Sequence, residues 1–419
     1  MKTKAVRMYG KNDLRLEEFQ LPKINDNEIL VKINTNSICM STYKAVKQGI
    51  NHKRIPNDVS INPIITGHEF SGDIIEVGSK WKNKFKEGDK FAQQPALNYN
   101  GSPFSPGYSY KYFGGNSTYA IVPNEVMELN CLIKYDGEAY FHASLAEPIS
   151  CIIGAFHSNY HTTNGLYKHH MGIKERGNLA ILGGVGPMGL GAINYLLNCN
   201  RKPALLVVTD INQERIDRAA NIISPAEALL KGVNLKYVNT SKVESPTEYL
   251  RNMTTDKKGF DDVYVYAIVE SLVEQGNKIL SKDGCLNFFA GPERKDFSAK
   301  VNYYDIHYSS THILGTTGGN TYDLIESLEM TSKNLIKPEV MITHIGGLNS
   351  VSDTILKLPS ISGGKKLIYT HLEMELTAID EFKEKGKNNK FFSDLADITS
   401  KNHGLWSFEA EKYILNQTR

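Results

Sequence analysis

The chain has 419 residues, 41% hydrophobic and 22% charged, and Lys+Arg 48 against Asp+Glu 46 leaves a net charge of +2. That length corresponds to roughly two or three domains of about 150 residues, and the composition excludes wholesale disorder. So even a charge balance gives no global attraction to nucleic acid or to an anionic membrane, and neither is expected as a partner. Cysteines stand at 39, 131, 151, 199 and 285 with no CxxC among them. Reduced thiols in the cytoplasm are the expectation. The first residues, MKTKAVRMYGKNDLRLEEF, are charged throughout and lack the apolar core of a secretion signal.

The first 150 or so residues read as strands and turns. Ile29-Leu30-Val31-Lys32-Ile33 alternates, Phe70 to Gly78 reads as a strand closing on a turn, and Gly88-Asp89 precedes Lys90-Phe91-Ala92. Residues 95–117, rich in Pro, Gly, Ser, Tyr and Asn, read as a loop. From about 178 strands and helices alternate. Leu179–Leu182, Leu205–Thr209, Asp262–Ala267 and Gly284–Phe289 are predicted strands; Gly189–Leu197 and Gln213–Asn221 are predicted helices. That alternation predicts a parallel sheet covered on both faces. After about Pro338 the pattern is mixed, and the tail is expected to return to the first domain.

Gly184-Val185-Gly186-Pro187-Met188-Gly189 fits GxGxxG between a predicted strand and a predicted helix, and a second apolar strand ends at Asp210, 21 residues beyond Gly189. This is the context a dinucleotide fingerprint requires. Gly184 is assigned the tight turn, Gly186 the approach of a pyrophosphate, and Gly189 close packing of helix on sheet. The helix N-terminus offers unpaired N–H groups to the phosphates. Asp210 is suited to both adenosine ribose hydroxyls and repels a 2′-phosphate, which favours NAD; nearby Arg215 keeps NADP as the alternative. The same glycines and Pro187 break the uncharged run from Gly177 to Asn200, so a membrane span is not expected there.

Three motifs in the first domain carry metal-binding residue types: Ser37-Ile38-Cys39-Met40-Ser41, Gly67-His68-Glu69 and Ala146-Glu147-Pro148. A thiolate, an imidazole and one or two carboxylates make a tetrahedral zinc set with an exchangeable position.

The order C-x-S, GHE, EP and then a Gly-rich βαβ unit resembles the zinc-dependent medium-chain dehydrogenases over nearly the whole chain, and the EP motif is similar to that of the sorbitol dehydrogenase branch. ITGHEFSGDI, PNEVMELNCL, EPISCIIGAF, GGVGPMGL, LLVVTD, GCLNFFAGP, GGNTYD and ISGGKKLIYT look more narrowly like the L-sorbose 1-phosphate reductases. The resemblance implies an α/β protein: a GroES-like, mostly-β catalytic domain over 1–155, a Rossmann doubly wound parallel-sheet domain over 156–337, and a return to the catalytic domain over 338–419. It implies NAD(H)-linked reduction of L-sorbose 1-phosphate to D-glucitol 6-phosphate, with zinc polarising the ketone within hydride reach of the nicotinamide.

Matched by position, Cys39, His68 and Glu147 are the zinc ligands, Glu69 ligates zinc or orients a water on it, and Ser41 touches the substrate oxygen and passes a proton. Thr42 stands where many relatives have an aspartate that supports the zinc histidine, so the pattern leaves that support open. Lys44 stands where a relay histidine is common, and either continues the relay or meets a phosphate. No cysteine falls in 95–117, the place of a second, structural zinc in many relatives, so one zinc per subunit is expected. Cations for a substrate phosphate are expected among Lys44, Lys47, Arg54, Lys365 and Lys366. A homodimer or homotetramer is expected from the exposed edge of the Rossmann sheet. The alternatives are a polyol dehydrogenase acting on unphosphorylated sugar alcohols and a catalytically silent nicotinamide-binding protein.

Overall fold

The alternation around Ile29 becomes a ten-residue strand, Ile29–Ile38, in the computed structural model, which describes residues 1–163 and 165–417. Nearly every side chain of this strand is buried, because it is paired on both edges and covered on both faces. Contacts divide the chain into two units. One comprises Met1–Glu147, Leu324–Ser332 and Pro338–Arg419; the other comprises Pro148–Asp323 and Lys333–Lys337.

The first unit is built on an eight-stranded sheet in the order Thr377–Ala378, Ile342–Gly347, Lys365–Tyr369, Ile29–Ile38, Glu69–Val77, Lys90–Gln93, Leu132–Lys134, with Tyr119–Val122 also pairing Ile29–Ile38. The residues past Pro338, mixed in pattern, thus supply three strands on one side of Ile29–Ile38. Phe70 packs edge-on against Phe91 and Phe113, and these rings with Ile29, Val31 and Ile33 form the core on one face. A second core gathers Leu367 and Tyr369 with Phe382, Leu395, Trp406 and Ile414 of the C-terminal helices. From the last of these helices, Phe408–Gln417, buried Glu411 accepts hydrogen bonds from the backbone N–H groups of Tyr140 (2.6 Å) and Phe141 (2.9 Å). Those donors open the helix Tyr140–Ser158 and have no intrahelical partner, so Glu411 caps the helix that carries Glu147.

Two histidines of this unit make its stability depend on acid. Burial, with Lys366 beside it, pushes His344 down to about 4, and burial, with Lys32, does the same to His371. Both start from an ordinary value of 6.5, so between about pH 4 and pH 6.5 the unfolded chain binds more protons than the folded one. Their contribution is complete above pH 6.5 and is lost as the pH falls toward 4. The urea midpoint is expected to drop across that window, and His344→Asn with His371→Asn to flatten the slope. An unchanged slope in the double variant would remove these two residues from the account.

The second unit holds a six-stranded, wholly parallel sheet in the order Asn234–Asn239, Leu205–Asp210, Asn178–Leu182, Phe260–Val265, Leu280–Phe288, His312–Gly315. Leu205–Asp210 and Phe260–Val265 are buried along their whole length, as central strands of a two-face-covered sheet must be. The uncharged run from Gly177 resolves into the strand Asn178–Leu182 and the helix Pro187–Leu196. No helix among the described residues is long and apolar enough to cross a membrane.

Candidate functional site

The sheet register of the first unit assembles the site. Ser37 lies opposite Glu69, and Lys366 lies opposite Ile38, so the starts of Glu69–Val77 and Lys365–Tyr369 flank the end of Ile29–Ile38. Cys39 follows that strand directly and is the N-cap of the helix Met40–Gln48, whose first turn presents Ser41 and Thr42. Its side chain makes no capping bond, which leaves the thiol available. The ligand atoms of Cys39, His68 and Glu69 lie within 4.8 Å of one another. Ser41 Oγ donates to Cys39 Sγ at 3.0 Å and lies 3.3 Å from His68 Nε2. Gln93 Nε2 donates to the His68 carbonyl at 2.9 Å, which holds the backbone in place.

Thr42 Oγ1 stands 3.3 Å from His68 Nδ1. The position left open by the aspartate's absence thus carries a hydroxyl, on the ring nitrogen other than the one beside Ser41. Tyr108, buried within the irregular 95–117 segment, brings its Oη to 2.8 Å from Ser41 Oγ and 3.4 Å from His68 Nε2. Sequence reasoning missed it, because a loop has no periodicity that says which ring turns inward.

Glu69 is engaged by Lys365, whose Nζ donates to Oε1 at 2.5 Å and Oε2 at 2.7 Å; Ser37 Oγ donates to Oε2 as well. Burial opposes the charge on Glu69, and Lys365 and His68 outweigh it, holding the carboxyl below its ordinary value. The expectation that Lys365 meets a substrate phosphate is corrected by this pairing: the ammonium is buried and committed to Glu69. Lys366 is likewise turned inward, donating to the carbonyls of Ile361, Ser362 and Gly364.

Glu147 is buried on the helix Tyr140–Ser158, outside the 4.8 Å trio. Its charge nevertheless acts on the cluster. Burial pushes His68 down while Glu147 and then Glu69 pull it up, and burial pushes Glu147 up to about 7 against the pull of His68. The Cys39 thiol is also pushed up, by burial and by Glu69. The Cys39 thiol, the His68 imidazole and the Glu69 carboxyl stand together in a buried site whose Lys365 ammonium is committed to Glu69. Sulfur, nitrogen and oxygen donors gathered in this way fit zinc. Lys44 lies half-buried on the helix Met40–Gln48.

In the second unit the turn after Asn178–Leu182 is made by Gly183, at φ +69°, rather than by Gly184 as expected. Gly184 instead packs against Ile181 and Val208. A Cβ on Gly189 would stand 1.8 Å from the Gly184 carbonyl oxygen, so only glycine lets the helix sit this close to the strand. Gly186 is the N-cap and Pro187 the first helical residue, followed by Met188, and no side chain caps the exposed N–H groups. Asp210 ends its strand with Oδ1 accepting from the amides of Ile211 (2.9 Å) and Asn212 (3.0 Å). Arg215 Nη1 stands 3.6 Å from its Oδ2.

Residues 25–130 match the alcohol dehydrogenase GroES-like domain family. Over 415 residues the chain is 50% identical to mannitol-1-phosphate 5-dehydrogenase of Aliivibrio fischeri, covering 99% of this chain and 97% of that protein. It is 43% identical over 413 residues to L-sorbose 1-phosphate reductase of Klebsiella pneumoniae, again covering 99% and 97%. Among solved structures, 2R,3R-butanediol dehydrogenase from Bacillus subtilis superposes with a TM-score of 0.70 at 21% identity, over 88% of this chain and 99% of that one. The chain belongs to the zinc-type medium-chain dehydrogenases, and within them to a group whose relatives are sugar-phosphate and polyol-phosphate oxidoreductases.

Proposed function

We propose that the protein is a cytoplasmic, zinc-dependent, NAD(H)-linked reductase of L-sorbose 1-phosphate, forming D-glucitol 6-phosphate. The observation that carries this reading is the convergence of Cys39, His68 and Glu69 beside Ser41 in a buried site. Cys39, His68 and Glu147 would hold one zinc, and the absence of cysteine from 95–117 supports a single metal per subunit. When bound, zinc supplies Lewis-acid polarisation of a ketone, and the nicotinamide supplies the hydride that its carbon accepts. The chain's own residues do the rest.

Ser41 Oγ donates a hydrogen bond to the substrate oxygen and delivers the proton that completes the alcohol. Tyr108 replenishes Ser41 through their 2.8 Å contact, and Lys44, one turn beyond Ser41, extends the relay toward water. Glu69, neutralised by Lys365, orients the cluster without adding a free negative charge. In the second unit, which we take as the nucleotide-binding domain, Gly184, Gly186, Pro187, Met188 and Gly189 hold the pyrophosphate against the helix N-terminus. Asp210 accepts from the ribose hydroxyls, and its anchored carboxylate supports NAD over NADP, with Arg215 as neighbour. The edge strand His312–Gly315 supports assembly into a homodimer or homotetramer.

Metal analysis and a substrate panel on purified protein test the proposal together. About one zinc per chain, loss of activity on chelation with return on zinc addition, and a kcat/KM for L-sorbose 1-phosphate well above that for L-sorbose are expected. Full activity after complete removal of metal would end the zinc reading. Equal use of sorbose would move the substrate class to unphosphorylated sugar alcohols and their ketoses.

A further inference from the structure

We infer that Arg54, with His52 beside it, forms the phosphate subsite, and that the phosphate it takes sits on the carbon next to the one reduced. The inference rests on the sugar-phosphate reading above and adds which side chains hold the phosphate. Among the cations near the cluster, Lys365 is committed to Glu69 and Lys366 to carbonyl oxygens. Lys47 lies over the Tyr43 ring near the end of its helix. Arg54 differs from these. Its guanidinium lies over the Tyr108 ring, 5.1 Å from the centroid, and among the described residues no carboxylate pairs with it. Its backbone is held at both ends: the Arg54 amide donates to His52 Nδ1 at 3.3 Å, and Ser109 Oγ donates to its carbonyl at 2.7 Å.

The first of these bonds also sets the histidine. With Nδ1 accepting, the neutral ring carries its proton on Nε2, a donor. Burial, then the charges of Arg54 and Lys53, push His52 down to about 4, which keeps it in that neutral form. The His52 ring stacks on Tyr108 at 5.8 Å and 12°. A planar fork of N–H donors and an imidazole N–H donor thus both pack on the Tyr108 ring, and both are donor types suited to phosphate oxygens.

The position of Tyr108 decides which phosphate. Its hydroxyl is 2.8 Å from Ser41 Oγ, the group assigned to the reacting oxygen. Arg54 is thus a single aromatic ring away from Ser41 Oγ. A 2-ketose 1-phosphate carries its phosphate one carbon from the carbonyl and reaches Arg54. A 2-ketose 6-phosphate, with four carbons between, carries it past Arg54.

Steady-state kinetics with L-sorbose 1-phosphate, D-fructose 6-phosphate and L-sorbose test this in the zinc-loaded enzyme. The wild type is expected to prefer the 1-phosphate over the other two. Arg54→Ala is expected to lower the ratio of kcat/KM for sorbose 1-phosphate over sorbose about 30-fold, through KM, as loss of a charge-assisted pair predicts. Arg54→Lys, which keeps the charge but not the fork, is expected to lose about tenfold, and it carries the test if the alanine variant does not fold. Inorganic phosphate should inhibit the wild type competitively and the variants more weakly. An unchanged ratio in both variants, or a wild-type preference for fructose 6-phosphate, would overturn the inference. A wild type that does not distinguish either phosphate from sorbose would instead overturn the sugar-phosphate reading beneath it.

Discussion

Lys365→Met is expected to cost about 3–5 kcal/mol of unfolding free energy, because it strands a buried carboxylate. Glu69 is 1% exposed and Lys365 6%, so neither charge has water to fall back on. Each satisfies the other through the two bonds from Nζ to the carboxylate oxygens, and only Ser37 remains for Glu69 when the lysine is gone. The cost belongs to the orphaned charge and not to the attraction between the partners. Glu69→Gln combined with Lys365→Met should therefore recover most of the loss, since two neutral groups of similar volume replace the pair. Urea unfolding of the metal-free protein at neutral pH checks this. A double variant no more stable than Lys365→Met would mean that the deficit comes from packing of the lysine stem.

His68→Ala is expected to remove the bound zinc and lower kcat/KM about 1000-fold, the scale of several kcal/mol of transition-state stabilisation from a metal ion. The imidazole lies in the middle of the cluster, in contact with Ser41, Thr42 and Tyr108, so no neighbour can take its place. Thr42→Val provides the graded comparison. It leaves every zinc ligand in place and removes only the hydroxyl at Nδ1, so metal affinity should weaken about 10–100-fold while saturating zinc restores much of the rate. Zinc content by atomic absorption, read with activity at increasing zinc, separates the two variants. Retention of about one zinc per chain by His68→Ala would exclude the histidine as a ligand, whatever happened to the rate.

How much of this was legible beforehand differs between the two units. In the second, strand–helix alternation, apolar runs such as Leu205–Asp210 and the glycine fingerprint are local, and each announces its own structure. One detail escaped. The left-handed turn falls on Gly183, and spacing alone could not say which of two adjacent glycines would take it. In the first unit Cys39, His68 and Glu69 were legible as residue types in motifs, because zinc chemistry uses those donors, and Ser41 through the resemblance. Their surroundings were not. Thr42 left the histidine's support open and proves to stand at Nδ1, and Lys365 read as a cation for a substrate phosphate and is a buried partner.

Residue identity and short-range spacing were enough to offer candidate donors, a glycine fingerprint and the strand–helix alternation, because each of these is written in groups a few positions apart. Which cation neutralises Glu69 and which ring presses on Ser41 depended on how the chain packs. Lys365 is 296 residues from Glu69 and meets it only because its strand and that of Glu69 flank Ile29–Ile38. A charge is committed or available according to what packs beside it, and strand neighbours distant in the chain become visible only when the sheet forms.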